Sequence, residues 1–479
     1  MKSTILSLTF AATSASALHL PFTRRIPQQS SGLIPRTNTL AARAEGIKLG
    51  NGENTIYTSI LNVAGKDVPV QMDTGSTDLW LYNYQSGLLD SARNYESINV
   101  TAGYAIGAVT GFLSQIDVTL AGISIANQSF INVQSSQNEI LIDDKKAAGI
   151  LGLAFDSISH VNNAVEGAFP GATWGRSLLT NLFLSNPTTP NHVTFRLDRL
   201  YDNNDTDTGS FNIGTFAPGF EAVNDTAPIP LFTSNSTKMS YWEVLLDAVT
   251  INGQNQTLSS TVTGDVTPPQ GKLAAVLDTG YSLPQLTTQL AHDIYTSMGG
   301  VLYERDGTNS LYMVPCMAET KLAFYIGGHT IDIHPLDVTR VATQVWGDKN
   351  VTFCHGAFQP LTGSGGGSYD VILGDSFLRN VYTVWDYGDF IDGTTGSPRG
   401  NPYIKLLPLT DPTAASAEFK SARAAHLATL PPQINVSTVN DANGPQVIPG
   451  TGTNAAMRLT FGGTVAVVAA GLASVFLVV

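Results

Sequence analysis

The chain has 479 residues, of which 43% are hydrophobic and only 13% charged, with 45 Gly and 24 Pro. That composition excludes a coiled coil, a helical solenoid and a charge-rich disordered protein. A formal net charge of −13 argues against nucleic acid as a partner, because phosphate binding needs a basic face.

In chain order, Met1–Ala17 reads as a secretory signal peptide: Lys2, a short apolar stretch, then Ala15-Ser16-Ala17 as a small-residue cleavage site. Leu18–Ala44 carries Arg24, Arg25, Arg36 and Arg43 and no acid. Without residues 1–44 the chain keeps 20 basic and 38 acidic residues, a balance of −18. A basic leader ahead of an acidic body predicts a propeptide over 18–44, lying across an acidic cleft by charge attraction. From there to about 410 the pattern is short alternating or apolar runs broken by Gly, Asn and Asp. Strands are predicted at Ile56–Val63, Val68–Met72, Gly111–Leu120, Val193–Leu197, Glu243–Ile251, Ala323–Ile326 and Tyr382–Trp385. Helices are few: Trp174–Leu184, and Pro284–Met298 with Pro at its start. The body is mostly β. Residues 411–453 lose aromatic and periodic character and predict a stalk rich in Pro, Ala, Ser, Thr, Asn and Gly. Residues 454–479 read as a glycosylphosphatidylinositol anchor signal. Small residues span Gly450–Ala456, with Asn454 the preferred attachment residue and Gly452 the second; a spacer, Met457–Gly463, holds Arg458, and Thr464–Val479 is apolar. The expected location is the outer face of the plasma membrane or a cell wall, with shedding open.

Eight N-x-S/T sequons stand at Asn99, Asn127, Asn204, Asn224, Asn235, Asn255, Asn350 and Asn435 and suit a glycosylated surface. Cys316 and Cys354 are the only cysteines, an even count in an oxidising route, so either one disulfide or two buried thiols fits. With two Cys, eight His and no C-x-x-C or H-E-x-x-H spacing, neither metal nor cofactor is expected.

The body carries an internal repeat. Val70-Gln71-Met72-Asp73-Thr74-Gly75-Ser76 recurs loosely as Ala275-Val276-Leu277-Asp278-Thr279-Gly280-Tyr281, and each copy is followed later by an apolar-apolar-Gly run, at Ile150–Gly152 and Ile372–Gly374. This predicts two similar lobes, 45–215 and 216–410, each offering one acidic loop. A third D-T-G, Asp207-Thr208-Gly209, lies in a polar run with no strand feeding it and reads as a hairpin turn. Asp73 and Asp278 instead follow apolar residues, which places each carboxylate at a buried strand end. Two such carboxylates meeting across a lobe interface would share one proton, because like charges so close cannot both ionise. The ionised one could deprotonate a water while its protonated partner polarises a carbonyl.

These segments resemble the pepsin-like aspartic endopeptidases over roughly residues 52–408. Val70–Trp80 is similar to the family's first active-site motif, Tyr104–Ile123 to its flap hairpin, Ala148–Phe155 to the apolar segment of the first lobe, Ala275–Leu283 to the second motif, and Tyr369–Trp385 to the segment closing the second lobe. The resemblance implies a bilobal β fold, acid-pH cleavage of protein or peptide substrates in the cleft, and a monomer. It implies Asp73 and Asp278 as the catalytic pair, Thr74 and Thr279 as interlocked threonines, and Ser76 as a donor to the outer oxygen of Asp73. Gly75 and Gly280 would leave room for water and substrate. Tyr104, with Gly107 on the same flap, would close over substrate, its hydroxyl directed towards Trp80. Cys316 and Cys354 fall at the family's second-lobe disulfide. The chain departs from the pattern at Tyr281, where Ser or Thr is usual, at Ala105 and Ile106 in the flap, and at Gln71, expected to make the pocket more polar. Two other classes compete: an inactive binding protein on the same fold, which retention of both Asp and the flap Tyr disfavours, and a glycoside hydrolase, whose paired acids do not need matched D-T-G loops.

Overall fold

A computed structural model describes residues 47–448, apart from 49, 53, 55, 105–106, 138–146, 201–208, 234–238, 306–308, 347–348, 362–366, 389–401 and 441–444. The signal peptide, propeptide, Asp207-Thr208, Asn204, Asn235, Ala105, Ile106 and the whole anchor signal with Gly452 and Asn454 lie outside the described residues.

Each repeat builds its aspartate loop the same way. In the first lobe an apolar strand, Lys66–Asp73, pairs in parallel with Gly149–Gly152, in the register Gln71↔Ile150, Met72↔Leu151 and Asp73↔Gly152. In the second, Leu273–Leu277 pairs in parallel with Val371–Leu373, Leu277 opposite Leu373. The second D-T-G strand is buried throughout and reads as a continuous apolar run for that reason, while the first is buried from Val70 onward and carries Gln71 within it. Each lies in its own eight-stranded sheet, with Ile56–Val63 beside the first and Glu243–Ile251 beside the second. The flap hairpin, Arg93–Tyr104 against Gly107–Leu120, is the far edge of the first sheet. A six-stranded sheet is shared between the lobes, joining His192–Arg196 and Ser210–Ile213 to Val381–Asp386 and Tyr403–Pro408. The two-lobed, mostly β architecture therefore stands, on a floor built from both halves.

The predicted strands all form, most extended by one to four residues. The helices start later than expected. Ser177 caps Leu178–Ser185 from its N-cap position, and Thr287 caps Thr288–Thr296 because Gln285–Leu286 is drawn into a strand against Gln359–Pro360. A further helix, His160–Ala168, packs beneath the flap strands. Cys316 and Cys354 form a disulfide, with Cα atoms 5.1 Å apart. It ties the four-stranded sheet that pairs Val314 with Cys354.

The stalk expected at 411–453 is corrected by the structure at its described residues, 411–440 and 445–448. Pro412–Leu427 is a helix. Asp411 caps it by accepting from the Thr413 and Ala414 N–H groups at 2.8 and 2.9 Å, and Pro412 sits where a missing N–H costs nothing. Ala415, Phe419, Arg423 and Leu427, four residues apart, are its buried face. Arg423 is 1% exposed and donates to the Thr339 hydroxyl and carbonyl at 3.1 and 3.0 Å. Beyond the helix, Thr352 donates its N–H to Pro432 at 2.9 Å and accepts from Ile434 at 3.0 Å, and Ile434 bridges Val447. A charged residue on the buried face had removed the apolar periodicity that would have announced this helix.

Candidate active site

The two D-T-G turns meet. Thr74 donates its hydroxyl to the Leu277 carbonyl at 3.1 Å and accepts from the Thr279 N–H at 2.9 Å. Thr279 answers with its hydroxyl to the Met72 carbonyl at 2.8 Å and accepts from the Thr74 N–H at 3.1 Å. Both threonines are fully buried, so each hydroxyl is satisfied from the opposite lobe, as burial requires. The lobes are locked together at the residues that follow the aspartates.

Asp73 and Asp278 are 2% and 7% exposed and face each other across this lock. A Cβ on Gly75 would stand 2.0 Å from Asp278 Oδ2, and one on Gly280 would stand 2.2 Å from Asp73 Oδ1. The glycines are what let two carboxyls approach. Gly75 donates its N–H to Asp73 Oδ1 at 2.8 Å, and Gly280 donates to Asp278 Oδ1 at 2.7 Å. Ser76 gives its hydroxyl to Asp73 Oδ2. Burial raises both carboxyls above the ordinary range, but unequally. Hydrogen bonds from Ser76 and the Gly75 N–H pull Asp73 back down. Asp278 is pushed much further up by burial and then by the charge of Asp73. The pair titrates as one unit, and the Ser76 and Gly75 donors favour the negative charge on Asp73.

Tyr104 is half-buried on the flap, with its phenol close to the Trp80 indole and the Ser76 hydroxyl. Trp80 is wholly buried in the first-lobe core. Gly107 pairs with Tyr104 at the flap turn. The expected departure at Tyr281 is present: its ring is 7% exposed beside Asp278 and Tyr369. Gln71, 1% exposed, reaches across the lobes to the Gly280 carbonyl. Among the described residues no group of three or more His, Cys, Asp or Glu could hold a metal. Of the described sequon asparagines, Asn99, Asn127, Asn224, Asn255 and Asn350 are exposed. Asn435 is half-buried and caps the turn Val436–Thr438 by accepting from the Ser437 N–H and hydroxyl.

Sequence reasoning missed four residues around the pair. Asp375 is fully buried, and both carboxyl oxygens lack a hydrogen-bond partner among the described residues; burial raises it well above the ordinary range. Its signal was available, an acid in the apolar run Ile372–Leu378. Glu243 is 4% exposed, and burial followed by the charge of Asp370 pushes it up to about 8. Tyr241 and Tyr369 stack edge-on at 6.0 Å on the Asp278 side. Nothing local marked these three.

Residues 61–391 match the family described as eukaryotic aspartyl protease. Similar proteins include Major aspartyl peptidase 1 of Cryptococcus neoformans var. grubii, 25% identical over 366 residues that cover 71% of this chain and 69% of that one. A probable vacuolar protease A of Trichophyton verrucosum is 26% identical, covering 74% and 81%. Cathepsin D of Dictyostelium discoideum is 25% identical, covering 76% and 88%.

Proposed function

The chain belongs to the eukaryotic aspartyl protease family and is an aspartic-type endopeptidase acting on peptides; on that premise we propose that Asp73 and Asp278 are its catalytic pair. The observation that carries the reading is the unequal, face-to-face placement of two buried carboxyls across the threonine lock. Asp73, ionised, takes a proton from a water held between the carboxyls. Asp278, protonated, donates to the scissile carbonyl as the water attacks; Asp73 then passes its proton to the nitrogen, the C–N bond breaks, and a hydroxyl proton of the adduct returns to Asp278. Tyr104 closes over the substrate from the flap, and Trp80 supports its phenol. Activity is expected at acidic pH, with chelators without effect. Asp73→Asn and Asp278→Asn are each expected to lower kcat by about a thousandfold or more; normal turnover in either would overturn the assignment.

The same reading includes a zymogen, glycosylation and retention at the cell surface. The basic leader over 18–44 against the acidic body supports the first: a form beginning near Glu45 and the full secreted form should differ in activity, and equal activity of the two at both neutral and acid pH would overturn it. The ordered C-terminal elements support the last. Because Pro432 and Ile434 are bonded to Thr352 of the second lobe and Ile448 donates to Gln433, the connection from Ile448 to Gly452 or Asn454 would reach at most about 20 Å, holding the enzyme close to its membrane. Phosphatidylinositol-specific phospholipase C should release it, and a chain ending at Ile448 should be secreted fully folded. A membrane-bound form ending at Ile448 would overturn the anchor.

A further inference from the structure

The two aspartate loops are dressed asymmetrically, and the asymmetries are complementary. In the first loop Ser76 holds the outer oxygen of Asp73 from within. In the second, Tyr281 occupies the matching position. Two residues before Asp278 stands Val276, an apolar side chain with nothing to donate; two residues before Asp73 stands Gln71. The loop without the short hydroxyl is the one that faces the carboxamide.

Gln71 Nε2 donates to the Gly280 carbonyl at 3.1 Å, from a residue 209 positions away in sequence. That carbonyl belongs to the Gly280–Tyr281 peptide, whose N–H reaches the Asp278 carbonyl only at a long 3.3 Å. The preceding N–H, on Gly280, is the donor to Asp278 Oδ1 at 2.7 Å. Gln71 is 1% exposed in the middle of its sheet, and its Oε1 has no partner among the described residues. Burying an amide with one end unpaired is unfavourable, so an apolar residue would serve the strand better if packing were the sole requirement.

We propose that Gln71 is a positioning residue for Asp278: from across the lobe interface it holds the Gly280–Tyr281 peptide, and through it the Gly280 N–H, in the loop where Tyr281 has replaced a short hydroxyl. This rests on the assignment of Asp278 to the catalytic pair.

The test is steady-state kinetics, per inhibitor-titrated active site, on Gln71→Met, Gln71→Glu and Tyr281→Ser, with Asp278→Asn as control. Gln71→Met should lower kcat by about five- to tenfold with KM within about twofold. Its alkaline pH limb should move up, because a looser Gly280 N–H favours the protonated Asp278; the titratable groups facing Asp278, namely Asp73, Asp375, Tyr241, Tyr281 and Tyr369, are unchanged in it. Gln71→Glu conserves size and carries an O–H donor while protonated, so it should approach normal kcat in acid and lose it as pH rises. In a Tyr281→Ser background the Gln71→Met loss should shrink to less than about twofold. A normal kcat and pH limb in Gln71→Met, or the same loss in both backgrounds, would overturn the clamp. An active Asp278→Asn would instead overturn the catalytic pair on which it rests.

Discussion

The loop ending at Asp73 and the loop following Leu277 share a backbone plan and differ in the side chains around it. Both sit at the end of a strand paired in parallel with an apolar-apolar-Gly strand. Both give a glycine N–H to the inner carboxyl oxygen and a threonine to the opposite loop. Ser76 against Tyr281 is the difference that matters for chemistry. The scaffold brings the carboxyls together; the dressing decides which of them carries the proton. Symmetry supplies the paired carboxyls, and in the proposed mechanism its breaking supplies the acid and the base.

The strongest way to break the comparison is to remove the space both loops share. Gly75→Ala and Gly280→Ala each drive a methyl into the opposite carboxyl, and each should lower kcat by about a hundredfold or more, since a displacement near 1 Å is that costly. Single-turnover rates on folded protein would check it; activity close to normal in either would show that the loops are further apart than described.

Thr74→Val and Thr279→Val test whether the lock is as symmetrical as it looks. Each removes a hydroxyl that both donates and accepts in a buried site, and each should cost about 2 kcal/mol of stability in urea melts. A large difference between the two would mean that one lobe bears the lock alone.

The pH profile sharpens the chemical difference. Ser76 lowers Asp73, so Ser76→Ala should raise that carboxyl and move the acid limb of the profile upward by about one pH unit or less. Tyr281→Ser offers Asp278 a short donor, and the alkaline limb should move downward. Movement of both limbs in the same direction would contradict the assignment of the proton.

The smallest effect is on stability. Asp278 and Glu243 are raised by burial. A carboxyl raised in the folded state contributes stability that is present below its ordinary value and lost as pH rises through its folded value. The enzyme should therefore be most stable in acid and weaken towards neutrality, and Asp278→Asn should flatten that decline in thermal melts between pH 4 and pH 8, a span of roughly the window in which such groups titrate. A decline of the same steepness in Asp278→Asn would assign it to other groups.

Much of this was legible because it is local. A strand that must be buried on both faces announces itself as a mostly apolar run, and a carboxylate placed directly after such a run has nowhere polar to go, so Asp73 and Asp278 stood apart from the polar Asp207-Thr208-Gly209. The strand Ile56–Val63 was readable from its own residues, as was Glu243–Ile251. Other features depended on partners that no local pattern names. Pro412–Leu427 was hidden because Arg423 occupies its buried face, an arrangement tolerable only where Thr339 takes up the guanidinium. Trp242 donates its indole N–H to the Leu153 carbonyl at 3.0 Å, a bond between lobes. Gln71 looked like a polar residue misplaced in an apolar strand until the second lobe put Gly280 within its reach. Backbone pairing and burial periodicity are properties of a few consecutive residues, so the sequence determined the two loops and the β architecture. Which buried polar group meets which partner depends on how two lobes dock, and only the tertiary structure decided that.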